Sequence, residues 1–205
     1  MNKLFFVLVA SVAATGGLWL SKQLNQDAAP PETNATVFQT SRPMPSLELL
    51  DQTGAGFTQE GFLNRWTLVF FGFTHCPDVC PTTLFLLTQV KKTLVDLDSP
   101  EQPHITMVSV DPTRDTPEQL ANYLPHFGEN ITGLTGDISK IQALTQELGV
   151  AYSYTPDNNG GYTVDHTASI FLVSPAAELK AVFTTPHDAQ SIATDYRIIL
   201  KHYAP

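Results

Sequence analysis

The sequence predicts an α/β domain in which a mixed sheet is flanked by helices. Two observations indicate this class. Apolar runs typical of buried strands alternate with helical patterns over the middle of the chain, and a pair of strands joined by a short turn precedes the last helix. The chain has 205 residues, of which 42% are hydrophobic, so a domain of ordinary size can bury one core.

The N-terminal segment contains a long apolar run without charged residues. Lys3 is followed by an apolar run from Leu4 to Leu20, which reaches the lower limit of the length that spans a bilayer. Because no strict A-x-A cleavage site lies in this run and Trp19 suits a membrane interface, we predict a single membrane-anchor helix over residues 1–22. A signal peptide cleaved near Val12-Ala13-Ala14 is the alternative. The positive charge before the run predicts a single-pass protein of the cytoplasmic membrane with its globular domain on the periplasmic side.

Residues 23–44 are polar and contain several prolines, which predicts a partly extended tether. Residues 45–205 form the predicted globular domain. The formal net charge of the chain is -9 and no basic cluster is present. This charge argues against a nucleic-acid partner, because such binding needs Lys and Arg side chains to neutralise phosphates.

The globular part begins with a predicted hairpin, in which Ser46 to Leu50 and Gly56 to Phe57 flank the turn sequence Asp51-Gln52-Thr53-Gly54. The continuous apolar run from Trp66 to Phe71 then predicts a buried strand. A helix follows with Pro81 in its first turn, where the missing N–H of proline costs little.

The middle of the chain continues the alternation. Ile105 to Val110 is the next predicted buried strand. Thr116 and Gln119 form a capping box around Pro117, so we expect a helix to begin there. Ile138 to Leu148 carries apolar residues on one helical face and predicts a further helix.

A second hairpin is inserted before the last strands. Ala151 to Tyr154 and Gly161 to Val164 flank a turn rich in Pro, Asn and Gly. Ala168 to Val173 and Leu179 to Phe183 are the last predicted strands, and Asp188 is the expected cap of a C-terminal amphipathic helix. This order predicts a thioredoxin-like mixed sheet with an N-terminal and an inserted β-hairpin.

The two cysteines of the chain, Cys76 and Cys80, lie in FGFTHCPDVCP between a predicted strand and a predicted helix. Residues i and i+4 of a helix share one face, so both sulfurs can point at the same external atom. Their spacing differs from the C-x-x-C of a thioredoxin redox pair. The N–H groups and partial positive charge of a helix N-terminus are expected to stabilise thiolate there and to lower a cysteine pKa.

His166 is the candidate third ligand. It lies at the exit of the second hairpin, just before an apolar strand, and the corresponding loop of a thioredoxin-like fold faces the cysteine pair. A lone histidine is more often an ordinary surface or packed residue. Two thiolates and one imidazole would form a soft site, because thiolates select Cu(I) and imidazole also suits Cu(II) and Zn(II). Structural zinc sites usually have four protein ligands, so this incomplete set favours a site that accepts and releases metal.

The other histidines carry less information. His75 is expected to point away from Cys76 and at most to support the site. The remaining four are expected to face solvent: His104, His126, His187 and His202.

Four stretches, FGFTHCPDVCPTTL, SVDPTRDTPEQL, GLTGD and YTVDHTASIFLVSP, together resemble the Sco/SenC family of copper-binding proteins of cytochrome oxidase assembly. The resemblance runs in order from Pro45 to Tyr203. It implies a thioredoxin-like fold and one copper ion per chain, Cu(I) or Cu(II), held by Cys76, Cys80 and His166. It also implies copper delivery to the binuclear copper centre of a terminal-oxidase subunit, or reduction of the cysteines of that centre. Another copper chaperone or a thiol reductant would be a further partner.

Asp78 and Asp111 match family positions near the site, although turn and capping chemistry explains them equally well. Cys76 and Cys80 are close enough in sequence to form a redox-active disulfide in an oxidising compartment. A purely structural disulfide is the alternative, but it would close a very short loop and stabilise little.

Two other functions are open at this stage. A thiol–disulfide oxidoreductase would keep the copper-site cysteines of the oxidase reduced, which would make the protein an enzyme, whereas a metallochaperone is not one. That class is expected to have C-x-x-C and a proline in the facing loop, where this chain reads Asp165-His166-Thr167-Ala168. A peroxiredoxin-like peroxidase would need its cysteine at position 77, which is Pro77.

Overall fold

The structure is a computed structural model that describes residues 17, 32–156 and 160–203. Contacts divide the chain into two compact units, Met1–Glu32 and Thr33–Pro205. The strands of the second unit are β1 (Thr36–Pro43), β2 (Glu48–Asp51), β3 (Gly56–Thr58), β4 (Thr67–Gly72), β5 (His104–Ser109), β6 (Ile131–Thr135), β7 (Tyr152–Pro156), β8 (Tyr162–His166), β9 (Ile170–Val173) and β10 (Glu178–Phe183). Its helices are α1 (Val79–Asp96), α2 (Pro117–Tyr123), α3 (Ile138–Leu148) and α4 (Ala189–Tyr203), with short 3₁₀ turns at Gln59–Phe62 and Leu124–His126.

Eight strands form one mixed sheet in the order β1-β10-β9-β4-β5-β6-β2-β3. The pairs β4–β5 and β5–β6 are parallel, whereas the other neighbours are antiparallel. Parallel neighbours need long crossover connections, and α1 and α2 lie in these two connections. Strands β7 and β8 pair with each other in a separate two-stranded sheet. Both predicted hairpins and the predicted mixed sheet are therefore present.

Strand β4 is buried along its whole length. Leu68 and Phe70 belong to a core cluster shared with α1 and α4, while Val69 and Phe71 belong to a second cluster shared with α3. Successive side chains of a strand point to opposite faces, so a strand covered on both faces needs a continuous apolar run. Complete burial of a Leu or Phe side chain contributes roughly 1.5–3 kcal/mol, so this strand anchors the segment that follows it.

The predicted helix boundaries are confirmed where local caps fix them. The Thr116 hydroxyl accepts a hydrogen bond from the Gln119 N–H at 3.2 Å, and Pro117 is the first residue of α2. Helix α3 ends at Gly149, whose φ of 71° is in the left-handed region that favours glycine. The Asp188 carboxylate accepts from the Ser191 N–H at 2.8 Å at the start of α4.

The structure differs from the predicted tether over residues 23–44, because Thr36–Pro43 form the edge strand β1. Thr36 pairs with Val182 and Pro43 pairs with Glu178 of β10. An edge strand has a neighbour on one side only, so it tolerates proline and polar, exposed side chains that the sequence pattern assigned to a linker. The Ala35 N–H also donates to the Asp195 carboxylate at 2.9 Å, which fixes the start of β1 to α4.

The predicted membrane anchor over residues 1–22, like the alternative cleaved signal, lies outside the described residues apart from Gly17. Within residues 17, 32–156 and 160–203, no helix is long and apolar enough to cross a bilayer.

Candidate metal centre

The cysteine segment connects the C-terminal end of β4 to the N-terminal end of α1. Cys80 is the second residue of α1 and is completely buried, whereas Cys76 lies in the preceding loop and is partly exposed. Gly72 ends β4, and a Cβ atom at that position would lie 3.0 Å from the Cys80 sulfur. The strand end therefore needs glycine so that the Cys80 side chain can pack against it.

Cys76, Cys80 and His166 come together in space. Their ligand atoms, two Sγ and one imidazole nitrogen, all lie within 4.8 Å of one another. The Cys80 Sγ is 3.4 Å from the His166 Nε2. Among the described residues, no other group of three or more His, Cys, Asp or Glu side chains has this proximity. The structure thus brings together the three residues that the sequence singled out.

The His166 ring is oriented by its surroundings. Its Nδ1 is 3.1 Å from the Thr167 carbonyl oxygen, which can only accept, so Nδ1 carries the proton and Nε2 presents its lone pair to the sulfurs. The Phe73 ring packs edge-on against the imidazole at a centroid distance of 6.0 Å. Burial lowers the pKa of His166, an effect that the Thr167 carbonyl and Asp165 oppose. The neutral imidazole that a metal requires is therefore favoured.

Both sulfurs accept backbone hydrogen bonds. The Phe73 N–H donates to the Cys80 Sγ and the Cys80 N–H donates to the Cys76 Sγ, each at 3.4 Å. Burial nevertheless raises the pKa of the Cys80 thiol; the Phe73 N–H opposes this shift, and the nearby Cys76 and Asp115 reinforce it. The lowered pKa expected from the helix N-terminus is thus wrong for Cys80, because desolvation outweighs the N–H dipoles. A thiophilic cation would have to displace this proton on binding.

Cys76 and Cys80 are free thiols in this structure. Thiolates bind metals, whereas a disulfide does not, so this is the form compatible with a metal site. The redox-active disulfide between them stays a prediction.

The two acidic residues singled out in the sequence have different surroundings. Asp78 is exposed and precedes α1; its carboxylate accepts from the Thr82 hydroxyl at 3.3 Å and makes no capping bond to a backbone N–H of the helix. Asp111 is completely buried. Its carboxylate accepts from Arg114 and from the Tyr162 hydroxyl, the latter at 2.8 Å, and so contacts strand β8.

Asp115 is a site neighbour that the sequence did not single out. Its buried carboxylate accepts from the Thr74 N–H at 3.0 Å, the Thr74 hydroxyl at 2.6 Å and the Ser109 hydroxyl at 2.7 Å. The Gln119 amide also donates to the Thr74 hydroxyl at 3.4 Å. These bonds hold the loop that precedes Cys76. The one sign of Asp115 in the sequence is that it is the second Asp of SVDPTRDTP. An Asp at that place is equally typical of helix capping, so the sequence alone did not indicate its role.

His75 is exposed, as expected, and lies outside the three-ligand group. Its Nδ1 is 3.0 Å from the Thr74 hydroxyl and 3.8 Å from the Asp115 carboxylate. His126 and His202 are also exposed, which agrees with the prediction.

The prediction that His104 and His187 face solvent is wrong. His104 is half-buried with its Nε2 2.7 Å from the Thr132 hydroxyl, and burial, with smaller effects of Arg65 and Lys91, lowers its pKa to about 4. The His187 Nε2–H donates to the Ala168 carbonyl at 2.6 Å. Both rings are partly buried, and their polar partners come from strand β6 for His104 and from the loop between β8 and β9 for His187.

Comparison with known proteins agrees with this geometry. A family model described as SCO1/SenC matches residues 37–201. The mitochondrial SCO2 homolog of Bos taurus is 32% identical over 189 residues, which is 90% of this chain and 70% of that protein.

Two solved structures resemble the described domain closely. That of Arabidopsis thaliana ScoI with copper bound has a TM-score of 0.74 and 30% identity, and covers 78% of this chain and 98% of the other. That of Bradyrhizobium japonicum ScoI with copper bound has a TM-score of 0.66 and 36% identity, and covers 78% of this chain and 99% of the other. The predicted thioredoxin-like fold is therefore confirmed for this domain.

Proposed function

The chain belongs to the SCO1/SenC family, and we propose that it is a copper metallochaperone whose cargo is held by Cys76, Cys80 and His166. The observation that carries this proposal is the grouping of two sulfurs and one imidazole nitrogen within 4.8 Å. This donor set fits copper, because thiolates prefer Cu(I) and imidazole also accommodates Cu(II). The copper-bound relatives of similar fold support the same cargo. We propose one ion per chain, because the described residues contain one such three-ligand group.

The site suits uptake and release. Three protein ligands leave a coordination position that a partner can occupy during transfer. Cys80 is completely buried, while Cys76 and His166 are partly exposed and can be reached by an incoming ligand. Backbone N–H groups on both sulfurs and the Thr167 carbonyl on the imidazole hold the donors in place before the ion arrives.

The partner that we propose is the copper-site subunit of a terminal oxidase, whose binuclear copper centre would receive the ion. Another copper chaperone or a thiol reductant would act before it. Family membership supports this assignment.

We further propose that residues 1–22 anchor the chain in the cytoplasmic membrane with the domain on the periplasmic side. A reporter enzyme fused after Lys201 should then be active only if it works outside the cytoplasm, and activity of a cytoplasm-only reporter would reverse the topology.

A thiol–disulfide reductase is the second candidate function. It is favoured by two free thiols near the start of α1, one of which is accessible. Against it, the cysteine pair faces His166, a metal ligand that thiol–disulfide exchange does not need. The metallochaperone function is therefore the better supported of the two.

Metal analysis of the purified chain tests the proposal. After anaerobic reduction, copper loading and washing, we expect about one copper per chain, and nearly none in Cys76→Ser or Cys80→Ser, because each loses a thiolate that no neighbour replaces. Gln89→Ala is a control, since it changes an exposed side chain of α1 outside the three-ligand group. Copper that survives washing in the double Cys→Ser variant would refute the copper site. Copper-independent reduction of oxidised oxidase-subunit cysteines, with no transfer of copper, would favour the reductase.

A further inference from the structure

The ligands of the site come from two separate parts of the fold. Cys76 and Cys80 follow β4 of the eight-stranded sheet, whereas His166 ends β8 of the two-stranded sheet. We propose that Arg114, held by Asp111, is a positioning residue that fixes the His166 hairpin against the cysteine segment. This inference rests on the proposed copper site and extends it to residues that do not touch the metal.

Arg114 contacts both parts of the site. Its Nη1 donates to the Tyr162 carbonyl at 3.1 Å, and its guanidinium carbon lies 3.9 Å from the centre of the Tyr162 ring. The same carbon lies 5.7 Å from the centre of the Phe73 ring in the cysteine segment. A planar guanidinium can stack flat on an aromatic ring while the N–H groups at its edge donate hydrogen bonds, whereas the ammonium of lysine has no planar face to stack.

Asp111 restricts where the guanidinium can lie. Its completely buried carboxylate accepts from the Arg114 Nε and from the Tyr162 hydroxyl. A buried carboxylate is stable only when it is paired and hydrogen-bonded, so all three side chains depend on the same arrangement. The loop after β5 is thereby joined to the first residue of β8.

The cluster acts on the ligands through Phe73 and β8. Phe73 packs edge-on against the His166 ring, and its N–H donates to the Cys80 sulfur. Tyr162 and His166 are the two ends of β8, so a displacement at Tyr162 moves the strand that carries the imidazole. The buried Val164 side chain also attaches this strand to the core, and the Tyr154 hydroxyl of β7 donates to the Val110 carbonyl at 2.7 Å.

The consequence differs between the copper oxidation states. Cys80 belongs to α1 and Cys76 to the loop after β4, so both cysteines are carried by segments outside the hairpin. Loosening the hairpin removes the imidazole from its position and leaves the thiolate pair, and a thiolate pair alone still suits Cu(I). The Asp111–Arg114–Tyr162 cluster therefore controls how well the site holds Cu(II).

Arg114→Met tests this inference, because it keeps most of the apolar stem and removes the guanidinium. Supporting residues around metal ligands typically contribute roughly 10–100-fold in affinity. We expect a Cu(II) affinity loss of that size and an altered Cu(II) absorption spectrum, with Cu(I) affinity nearly unchanged. Arg114→Lys should restore only part of the loss. Arg197→Met, the same change at an exposed position of α4, should have no effect.

Hydrogen exchange of the metal-free protein gives a readout independent of copper. The amides of residues 162–166 should exchange faster in Arg114→Met than in the wild type or in Arg197→Met. Tyr162→Phe removes only the hydroxyl donated to Asp111 and should show a smaller change of the same kind; it decides the question if Arg114→Met does not fold. If both variants bind Cu(II) and exchange their amide hydrogens as the wild type does, the positioning role is overturned, while the proposed copper site is unaffected. Failure of the wild type to bind copper would instead refute the proposed function.

Discussion

The Nε2 atom of His166 lies 3.4 Å from the Sγ atom of Cys80, although 86 positions separate the two residues in the chain. Imidazole nitrogen and thiolate sulfur at this separation can bind the same ion after a small adjustment. Nδ1 of the ring is engaged by the Thr167 carbonyl, so the free nitrogen is the one that faces the sulfur.

Replacing His166 with Ala should weaken Cu(II) binding much more than Cu(I) binding, because the remaining thiolate pair can still hold Cu(I). The Cu(II) absorption spectrum should change, while circular dichroism shows an intact fold. Titration of each copper ion against a competing chelator measures both affinities. His126→Ala, at an exposed position outside the site, is the control. Unchanged Cu(II) affinity and spectrum in His166→Ala would move the reductase function to first place.

Replacing Gly72 with Ala should disturb the site from within the sheet. The added Cβ would lie 3.0 Å from both the Cys80 sulfur and a ring carbon of Phe70. Overpacking of this kind usually costs about 1–3 kcal/mol, and here it would also displace a ligand. We expect a lower free energy of unfolding in urea and a lower Cu(I) affinity. Gly56→Ala is a matched control, because no atom lies within 4 Å of its added Cβ. Equal copper affinity in the two variants would contradict the contact.

The two thiols should differ in reactivity in the metal-free, reduced protein. Cys80 is completely buried and burial raises its thiol pKa, whereas Cys76 is partly exposed. Iodoacetamide should therefore alkylate Cys80→Ser, which retains Cys76, faster than Cys76→Ser, which retains Cys80. Mass spectrometry over time measures both rates, and denaturation should make them equal. Faster alkylation of the buried thiol in the folded protein would show that its environment has been misassigned.

Stability should depend on pH through His104. Burial holds its pKa at about 4 in the folded protein, compared with about 6.5 for an unfolded chain. Between these two pH values the unfolded state therefore binds more protons than the folded state. The contribution of His104 to the free energy of unfolding is fully present above pH about 6.5 and is lost as the pH falls towards about 4. Urea unfolding of the metal-free protein at several pH values should show a steeper loss for wild type than for His104→Gln. His126→Gln should behave like wild type, and parallel pH profiles for wild type and His104→Gln would exclude His104 as the cause.

Local signals were sufficient for much of the fold. Thr116 and Pro117 set the start of α2, and Gly149 set the end of α3, because capping depends on residues within one turn of the helix end. The continuous apolar run of β4 indicated a strand buried on both faces. The edge strand β1 could not be recognised in this way, because its polar residues acquire strand structure only by pairing with β10.

The sequence by itself determined the type of donor at the site and the reach of the cysteine pair. The expected shared helical face is wrong in detail, because α1 begins at Val79 and Cys76 lies in the loop before it; the loop brings the two sulfurs together, and the Cys80 N–H donates to the Cys76 Sγ. Only the tertiary structure decided that His166 joins them, because His166 is carried by a separate two-stranded sheet and lies 86 positions from Cys80 in the chain. It also decided that the Cys80 pKa is raised, because desolvation depends on what surrounds a thiol in space and the sequence pattern reports only its neighbours along the chain.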